Sequence, residues 1–121
     1  MNVFDSSALL CFLRAETGSE TVARELEHGG RCSAANWSEV AQKVLAAGGE
    51  WDLAAGLLLS YPLEVEPVLR ADAEAAARRW VRGSGLSFAD RLCLATAERL
   101  NATVWTADTA WGTAEPIRQV R

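Results

Sequence analysis

Four acidic residues, Asp5, Glu39, Asp90 and Asp108, occupy positions from which their carboxylates could do chemistry together. Asp5 and Asp108 each lie at or just past the end of a short apolar run typical of a strand, where open α/β sheets place ligand sites. Asp90 and Glu39 stand at the edges of apolar helical stripes. Neighbouring carboxylates repel each other unless a cation joins them. Because the chain has one His and no Cys pair, the expected cation is a hard, oxygen-seeking one: Mg²⁺, or Mn²⁺ as a substitute.

Each of these acids also has an ordinary structural explanation. Asp5 could cap the helix that begins beside it, although the two serines that follow it are also available for capping. Asp90 could complete a capping box, a position that usually takes Glu or Gln. Glu39 could be a solvated residue in a first helical turn, and Asp108 could be a turn former. The hypothesis of a shared site therefore depends on a fold that brings the four together.

The chain alternates between strand and helix patterns. Strands are predicted at residues 2–5, 31–34, 63–68, 103–106 and 117–120. Six helices are predicted: from Ser7 through Leu13, from Ser19 to the Gly29-Gly30 pair, at 38–47, at 51–59, from Asp72 to Gly83, and from Ser87 to Leu100. Ser7 and Asp72 are expected to cap the helices that they begin. Helices between short strands favour an α/β fold, a three-layer sandwich with a central parallel sheet of four to five strands. Residues 1–121 are expected to form a single domain, with strand 63–68 at a sheet edge.

Apolar residues mark the helix faces expected to pack inward. The third helix would present Trp37, Val40, Ala41, Val44 and Leu45, the fifth Ala76, Ala77, Trp80 and Val81, and the last Phe88, Leu92, Cys93, Thr96 and Leu100. Together with the leucines at 57–59, the third-helix positions exceed what one small sheet easily covers, so packing between helices and contact between subunits both stay open. The five tryptophans are expected in the core or in subunit contacts, with base stacking by Trp111 as a minor alternative.

Composition restricts the function classes. Of the 121 residues, 50% are hydrophobic and 23% charged, the usual globular balance. The chain has neither a long apolar run nor a signal-peptide pattern, so no membrane association is expected. The odd number of cysteines, Cys11, Cys32 and Cys93, favours buried thiols in a reducing cytoplasm. The net charge of −4 argues against nonspecific coating of nucleic acid. All basic residues except Lys43 are arginine, which fits either genomic base composition or phosphate binding.

Other chemistries lack the required residues. His28 is the single histidine and is expected at a helix end, so neither a zinc site nor a hydrolase triad is indicated. The chain contains no G-x-S-x-G elbow and no phosphate-binding P-loop. Gly83-Ser84-Gly85 follows a helix instead of a strand and lacks the third glycine of a dinucleotide fingerprint, so it predicts a loop.

Three segments, VFDSSALLCFL, NWSEV and GLSFADRLCLATAERLNATVWTADTAW, together resemble a PIN domain. More narrowly, they are similar to the VapC-type ribonuclease toxins of bacterial toxin–antitoxin pairs, with a likeness that runs from residue 3 to 111. The resemblance implies metal-binding acids at Asp5, Glu39, Asp90 and Asp108, with supporting hydroxyls at Ser7 and Thr106. Some relatives carry one further acid just after the position of Asp108, where this chain has Thr109, Ala110 and Trp111. The number of metal ions, one or two, therefore stays open.

The function implied is that of a Mg²⁺-dependent endoribonuclease toxin in the cytoplasm. It would hydrolyse phosphodiester bonds in structured RNA such as transfer or ribosomal RNA, act as a homodimer, and be neutralised by a cognate antitoxin. Asp5 and Asp90 are the best-placed metal ligands, Asp108 would complete the site, and Glu39 would bind through water or orient the nucleophile. The alternative is a non-catalytic PIN-like or receiver-like binding or signalling module. A receiver needs an Asp after the middle strand and a late Lys, and this chain has no Lys after Lys43.

Overall fold

A five-stranded, all-parallel sheet forms the centre of the protein in a computed structural model that describes residues 1–121. The strands are β1 (Asn2–Phe4), β2 (Gly30–Ser33), β3 (Leu63–Glu66), β4 (Thr103–Thr106) and β5 (Ile117–Gln119). Their spatial order is β3-β2-β1-β4-β5, so β3 lies at an edge, as predicted. The chain passes outward from β1 to β2 and β3, then crosses back to the other side of β1. The direction of the connections therefore reverses between β1 and β4.

Six helices cover the sheet on both faces: α1 (Ser6–Leu13), α2 (Ser19–His28), α3 (Ala34–Ala46), α4 (Trp51–Leu59), α5 (Arg70–Arg78) and α6 (Phe88–Leu100). A short 3₁₀ turn (Thr109–Trp111) follows β4. Successive residues of a strand point to opposite faces. Accordingly Phe4 packs in the core formed with α1 to α4, whereas Val3 packs in the core formed with α6. The predicted three-layer α/β/α sandwich is confirmed.

Several apolar residues lie outside the core, contrary to the prediction. The fifth helix was expected to start with a cap at Asp72 and continue to Gly83, but α5 begins at Arg70 and ends at Arg78. Trp80 and Val81 are therefore in a loop, 57% and 61% exposed. Phe88, the first residue of α6, is 66% exposed because it precedes the turns that pack on α5 and the sheet.

The inward face of α3 is also narrower than predicted. The helix begins at Ala34, earlier than expected, because the Ser33 hydroxyl accepts a hydrogen bond from the Asn36 backbone and caps it. The buried residues on this face are Asn36 and Val40. Leu45 lies five residues after Val40, which is about 140° around a helix, and it is exposed. The prediction that Leu45 packs inward is wrong.

A network of charged side chains fastens α5 and α6 to the edge of the sheet. Asp72 accepts hydrogen bonds from Arg99 Nε at 2.8 Å and Nη2 at 3.1 Å, and from the Leu69 backbone at 3.0 Å. Glu66 on β3 bridges Arg99 Nη2 at 3.0 Å and Arg31 Nη1 at 2.8 Å. Burial raises the pKa of Asp72, but these bonds and the Arg99 charge outweigh burial and leave the pKa below its ordinary value. The carboxylate of Asp72 is thus a paired buried charge, which is costly to unpair.

The cysteines and the histidine take the structural positions expected of them. All three cysteines are buried and free. His28 is the last residue of α2 and its Nδ1 lies 3.6 Å from Glu25. Gly83-Ser84-Gly85 lies in the loop between α5 and α6. None of the helices combines the length and the apolar character needed to cross a bilayer.

Candidate active site

The carboxyl ends of β1 and β4 bring the first and last parts of the site together. The two strands pair in parallel, with Phe4 opposite Trp105, and the Asp5 backbone continues the ladder by donating to the Trp105 carbonyl at 3.1 Å. Asp5 and Thr106 therefore emerge side by side at the same edge of the sheet. This edge is the place where the order of connections reverses, the usual ligand position in an open α/β sheet.

Asp5 is held in one orientation by three neighbours and is 3% exposed. Its Oδ1 accepts the Ala8 backbone N–H at 2.8 Å, and its Oδ2 accepts the Thr106 hydroxyl at 2.6 Å. The Ser7 hydroxyl donates to the same carboxylate, 2.8 and 2.9 Å from its two oxygens. Asp5 is thus the N-cap of α1, and the prediction that Ser7 caps this helix is wrong. Three donors leave part of the carboxylate's capacity of about four acceptor directions unused.

Ser7 and Thr106 join Asp5 to the segment that carries Asp108. The Thr106 hydroxyl accepts the Asp108 backbone N–H at 3.0 Å, and the Ser7 hydroxyl accepts the Ala107 N–H at 2.9 Å. Asp108 itself caps the 3₁₀ turn, since its Oδ1 accepts the Ala110 N–H at 2.9 Å. Both supporting hydroxyls therefore contact Asp5 directly, and Asp108 is positioned one hydrogen bond further away.

Asp90 approaches from the other face of the sheet at the start of α6. Its Oδ2 accepts the Ser87 backbone N–H at 2.9 Å, and its own N–H is bound by the Ser87 hydroxyl at 3.1 Å. This is a capping box completed by Asp, so the structural explanation considered for Asp90 is confirmed, although this position usually takes Glu or Gln. The box fixes the first turn of α6 and with it the position of the Asp90 carboxylate.

Glu39 lies on α3 and is held by a buried polar cluster that the sequence analysis missed. Its Oε1 accepts the Ser6 hydroxyl, and Ser6 Oγ in turn accepts Asn36 Nδ2 at 3.0 Å. Asn36 Oδ1 is bound by the Ser33 hydroxyl at 2.6 Å, and Lys43 Nζ lies 3.9 Å from the Glu39 carboxylate. The available signal was Asn36, an amide four residues before the core residue Val40 and therefore on its buried face.

The four carboxylates influence one another electrostatically. The pKa of Asp5 is raised to about 6, because burial and, to a smaller extent, the Asp90 charge outweigh the lowering effect of its hydrogen bonds. Burial also raises the pKa of Asp90, opposed by Ser87 and supported by the charges of Glu39 and Asp108. The buried thiols of Cys32 and Cys93 have raised pKa values, chiefly through burial and then through charges that include Asp5 and Glu39. The structure therefore places all four predicted acids in one negative field.

As they stand, no three His, Cys, Asp or Glu side chains are close enough to hold a metal ion. The donor set nevertheless fits a hard divalent cation, because it consists of carboxylate oxygens at the edge of a sheet. Lys43 is the one cationic group paired with any of the four acids. Burial and, to a smaller extent, mutual repulsion raise the pKa values of Asp5 and Asp90, and a divalent cation would offset the repulsion.

Comparisons with known proteins agree with this architecture. A family model described as the PIN domain matches residues 3–114. A toxin–antitoxin complex from Klebsiella pneumoniae contains a chain with 18% identity and a TM-score of 0.75, covering 100% of this chain and 98% of that one. Mycobacterium tuberculosis VapC20, a toxin that cleaves the sarcin–ricin loop, has 20% identity and a TM-score of 0.73, covering 95% and 98%. Among curated proteins, none has a significantly matching sequence. At these identities the structural likeness shows a shared fold.

Proposed function

The chain belongs to the PIN domain family, and on that premise we propose that it is a metal-dependent endoribonuclease with its active site at Asp5, Glu39, Asp90 and Asp108. The observation that carries the proposal is that Asp5, at the end of β1, and Asp90, at the start of α6, lie near enough for the Asp90 charge to act on Asp5, and the pKa of both is raised. Acids with raised pKa values at the switch point of a parallel sheet favour a functional site over helix capping alone. We take residues 1–121 to be one nuclease domain.

Mg²⁺, with Mn²⁺ as substitute, is the cation that these ligands would bind, and it would offset phosphate charge and lower the pKa of an attacking water. Asp5 and Asp90 are the principal ligands in this proposal, Asp108 completes the set, and Glu39 orients the nucleophilic water. The Ser7 and Thr106 hydroxyls keep the Asp5 carboxylate in one rotamer. Because Thr109, Ala110 and Trp111 supply no further acid, we expect one protein-held metal.

The activity is tested by cleavage of structured RNA with purified protein, with and without Mg²⁺. Asp5→Asn and Asp90→Asn are each expected to abolish cleavage while the chain stays folded. Asp52→Asn is the matched control, because Asp52 is an exposed acid in the first turn of α4 and lies outside the carboxylate group. Mapping new 5′-phosphate ends in cells after brief induction would identify the RNA. Full activity of Asp5→Asn, or activity that persists in EDTA, would contradict the proposal.

We further propose that the protein is the toxin of a toxin–antitoxin pair, active in the cytoplasm. One structural neighbour is a toxin–antitoxin complex, and another is a toxin that cleaves the sarcin–ricin loop. An open apolar groove of about 700 Å³ between α1, α3 and α4 is lined in part by Leu10, Leu13, Val44 and Leu57. An amphipathic antitoxin helix would bury its apolar face there. Of the three leucines at 57–59, Leu58 is buried in the core, whereas Leu57 and Leu59 are about half exposed.

Co-expression with the protein of the neighbouring open reading frame tests this pairing. We expect the partner to suppress toxicity and to co-purify with the wild-type chain, and Leu57→Glu to release it. Leu59→Glu is the control, since Leu59 is equally exposed but does not line the groove. Light scattering of the free chain tests the proposed homodimer. A chain that is harmless when produced alone would contradict the toxin assignment.

One observation favours a second candidate, a non-catalytic PIN-like module. Asp5, Asp90 and Asp108 each perform a helix-capping task that requires no metal. In such a module Mg²⁺ would not bind, and Asp5→Asn would change neither metal binding nor RNA integrity. Calorimetric titration of Mg²⁺ into the wild-type chain and Asp5→Asn separates the two candidates.

A further inference from the structure

Arginine and aromatic side chains follow one another along the segment from the end of α5 to the first turn of α6. This arginine–aromatic surface consists of Arg78, Trp80, Arg82, Phe88 and Arg91. Trp80 and Phe88 are two of the largest exposed hydrophobic side chains in the chain, and neither packs against a core cluster. The Arg82 guanidinium lies 5.9 Å from the Trp80 ring centroid, and that of Arg91 lies 5.6 Å from the Phe88 centroid. Both rings are thus exposed and flanked by a cation.

The basic residues that form no ion pair are concentrated at this surface. Of the 12 basic residues, all but four form ion pairs with acids: the unpaired ones are Arg14, Arg78, Arg82 and Arg91. Three of the four belong to the arginine–aromatic surface. No acid occurs between Glu74 and Asp90. A chain with a net charge of −4 therefore carries a locally positive surface without internal counterions.

One end of this surface lies beside Asp90. Phe88 and Arg91 lie on the first turn of α6, on either side of Asp90 in sequence. The Arg91 guanidinium donates to the Ala76 carbonyl at 3.0 Å, which fixes it against α5. The loop between α5 and α6 is surrounded by free space at Gly83 and Gly85, because a Cβ atom at either position would have no neighbouring atom within 4 Å. The exposed ring of Phe88 and the guanidinium of Arg91, which has no ion pair, therefore flank Asp90 along the chain.

We propose that the arginine–aromatic surface binds an unpaired segment of RNA beside the cleavage site, an inference that rests on the ribonuclease function proposed above. Trp80 and Phe88 offer their faces to unstacked bases, and Arg78 and Arg82 contact the phosphates between them. A double helix keeps its base faces covered, so this surface selects loops and single strands over duplex. An apolar patch alone would equally suit a protein partner. The interleaved arginines without counterions favour a polyanion.

The test measures binding of a fluorescein-labelled RNA hairpin with an unpaired loop, and of a duplex of the same length, by anisotropy. All variants are made in the Asp5→Asn background so that the probe is not cleaved. Trp80→Ala and Arg82→Ala are the test variants. Leu59→Ala is the control for exposed apolar area, and Arg14→Ala is the control for an arginine without an ion pair. Light scattering on each variant monitors the oligomeric state.

Trp80→Ala is expected to weaken hairpin binding roughly five- to 150-fold, the usual loss for one stacked base, with an unchanged salt dependence. Arg82→Ala is expected to lower the slope of log K against log salt by about 0.7, the value for one single-stranded phosphate contact. Both controls should bind like the parent, and the duplex should bind weakly to all. Unchanged hairpin binding by both test variants would overturn the inference. A dimer lost in Trp80→Ala with RNA binding intact would also overturn it and would assign the surface to contact between copies.

Failure of this inference is distinguishable from failure of the proposed function. If the wild-type chain cleaves RNA but the test variants bind the hairpin normally, only the recognition surface is wrong. If the wild-type chain cleaves no RNA at all in Mg²⁺, the ribonuclease proposal itself fails and the recognition surface fails with it.

Discussion

Replacing Asp5 by Asn should make the metal-free protein more stable while it removes activity. The pKa of Asp5 is raised from 3.8 to about 6 in the folded state. At about 1.4 kcal/mol per pKa unit, keeping this buried carboxylate ionised costs about 3 kcal/mol of unfolding free energy. Asn at position 5 can still accept the Ala8 N–H as the N-cap of α1 and carries no charge. Allowing for lost charge-assisted hydrogen bonds, we expect Asp5→Asn to gain about 1 to 3 kcal/mol in EDTA.

The sign of the pH dependence follows from the direction of the shift. The folded state holds a proton on Asp5 between the unfolded pKa of 3.8 and the folded value of about 6, whereas the unfolded state does not. Wild-type stability therefore falls as pH rises through this window, and the penalty is fully present above pH 6. The advantage of Asp5→Asn should be largest near neutral pH and should vanish below the unfolded pKa.

Urea unfolding in EDTA at a series of pH values measures this difference. Asp52→Asn is the charge-matched control and should differ from wild type by less than about 1 kcal/mol at every pH. Added Mg²⁺ should stabilise the wild type near neutral pH and leave Asp5→Asn unchanged, because binding to the folded state alone raises stability. A variant less stable than wild type at neutral pH in EDTA, or a difference that does not vary with pH, would refute the reasoning.

Three further substitutions test how the scaffold positions the site, each by urea unfolding. Arg99→Ala should cost about 3 to 5 kcal/mol because it leaves a buried carboxylate unpaired, whereas Arg79→Ala, which removes an exposed ion pair, should cost less than about 1 kcal/mol. Gly30→Ala should cost at least about 1 to 3 kcal/mol, since its new Cβ would lie 2.5 Å from a neighbouring backbone oxygen, and Gly56→Ala, in an open helical position, should gain about 0.5 to 1 kcal/mol. Thr106→Val should cost about 1 to 3 kcal/mol and reduce RNA cleavage, because it removes a buried hydroxyl that both donates and accepts a hydrogen bond. Thr106→Ser keeps the hydroxyl and should restore stability and cleavage. A fully active Thr106→Val variant would exclude an orienting role for this hydroxyl.

Much of the secondary structure follows from local signals. The strand β4 and the helix α4 have the predicted bounds, because the apolar pattern defines both and the Gly48-Gly49 pair separates α4 from the helix before it. Helix starts were less predictable, since several polar residues near each start could serve as the cap. Asp5 caps α1 in place of Ser7, and Leu69 precedes α5 where a cap at Asp72 was expected. The competition between neighbouring capping groups depends on which backbone N–H each can reach.

The sequence by itself determined the chemical character of the site and the class of fold. The types of the four acids, the absence of a second histidine and the alternation of strand and helix are all present in the printed chain. Tertiary structure alone decided which side chains became buried or exposed and how the acids affect one another. Phe88 belongs to an apolar stripe that was predicted to face inward, but it is exposed. Asn36 is buried and binds Ser6, the partner of Glu39, and this contact was not predicted. Burial depends on neighbours distant in sequence, and the raised pKa of Asp5 comes from desolvation and from Asp90, which the fold brings to it from the opposite face of the sheet.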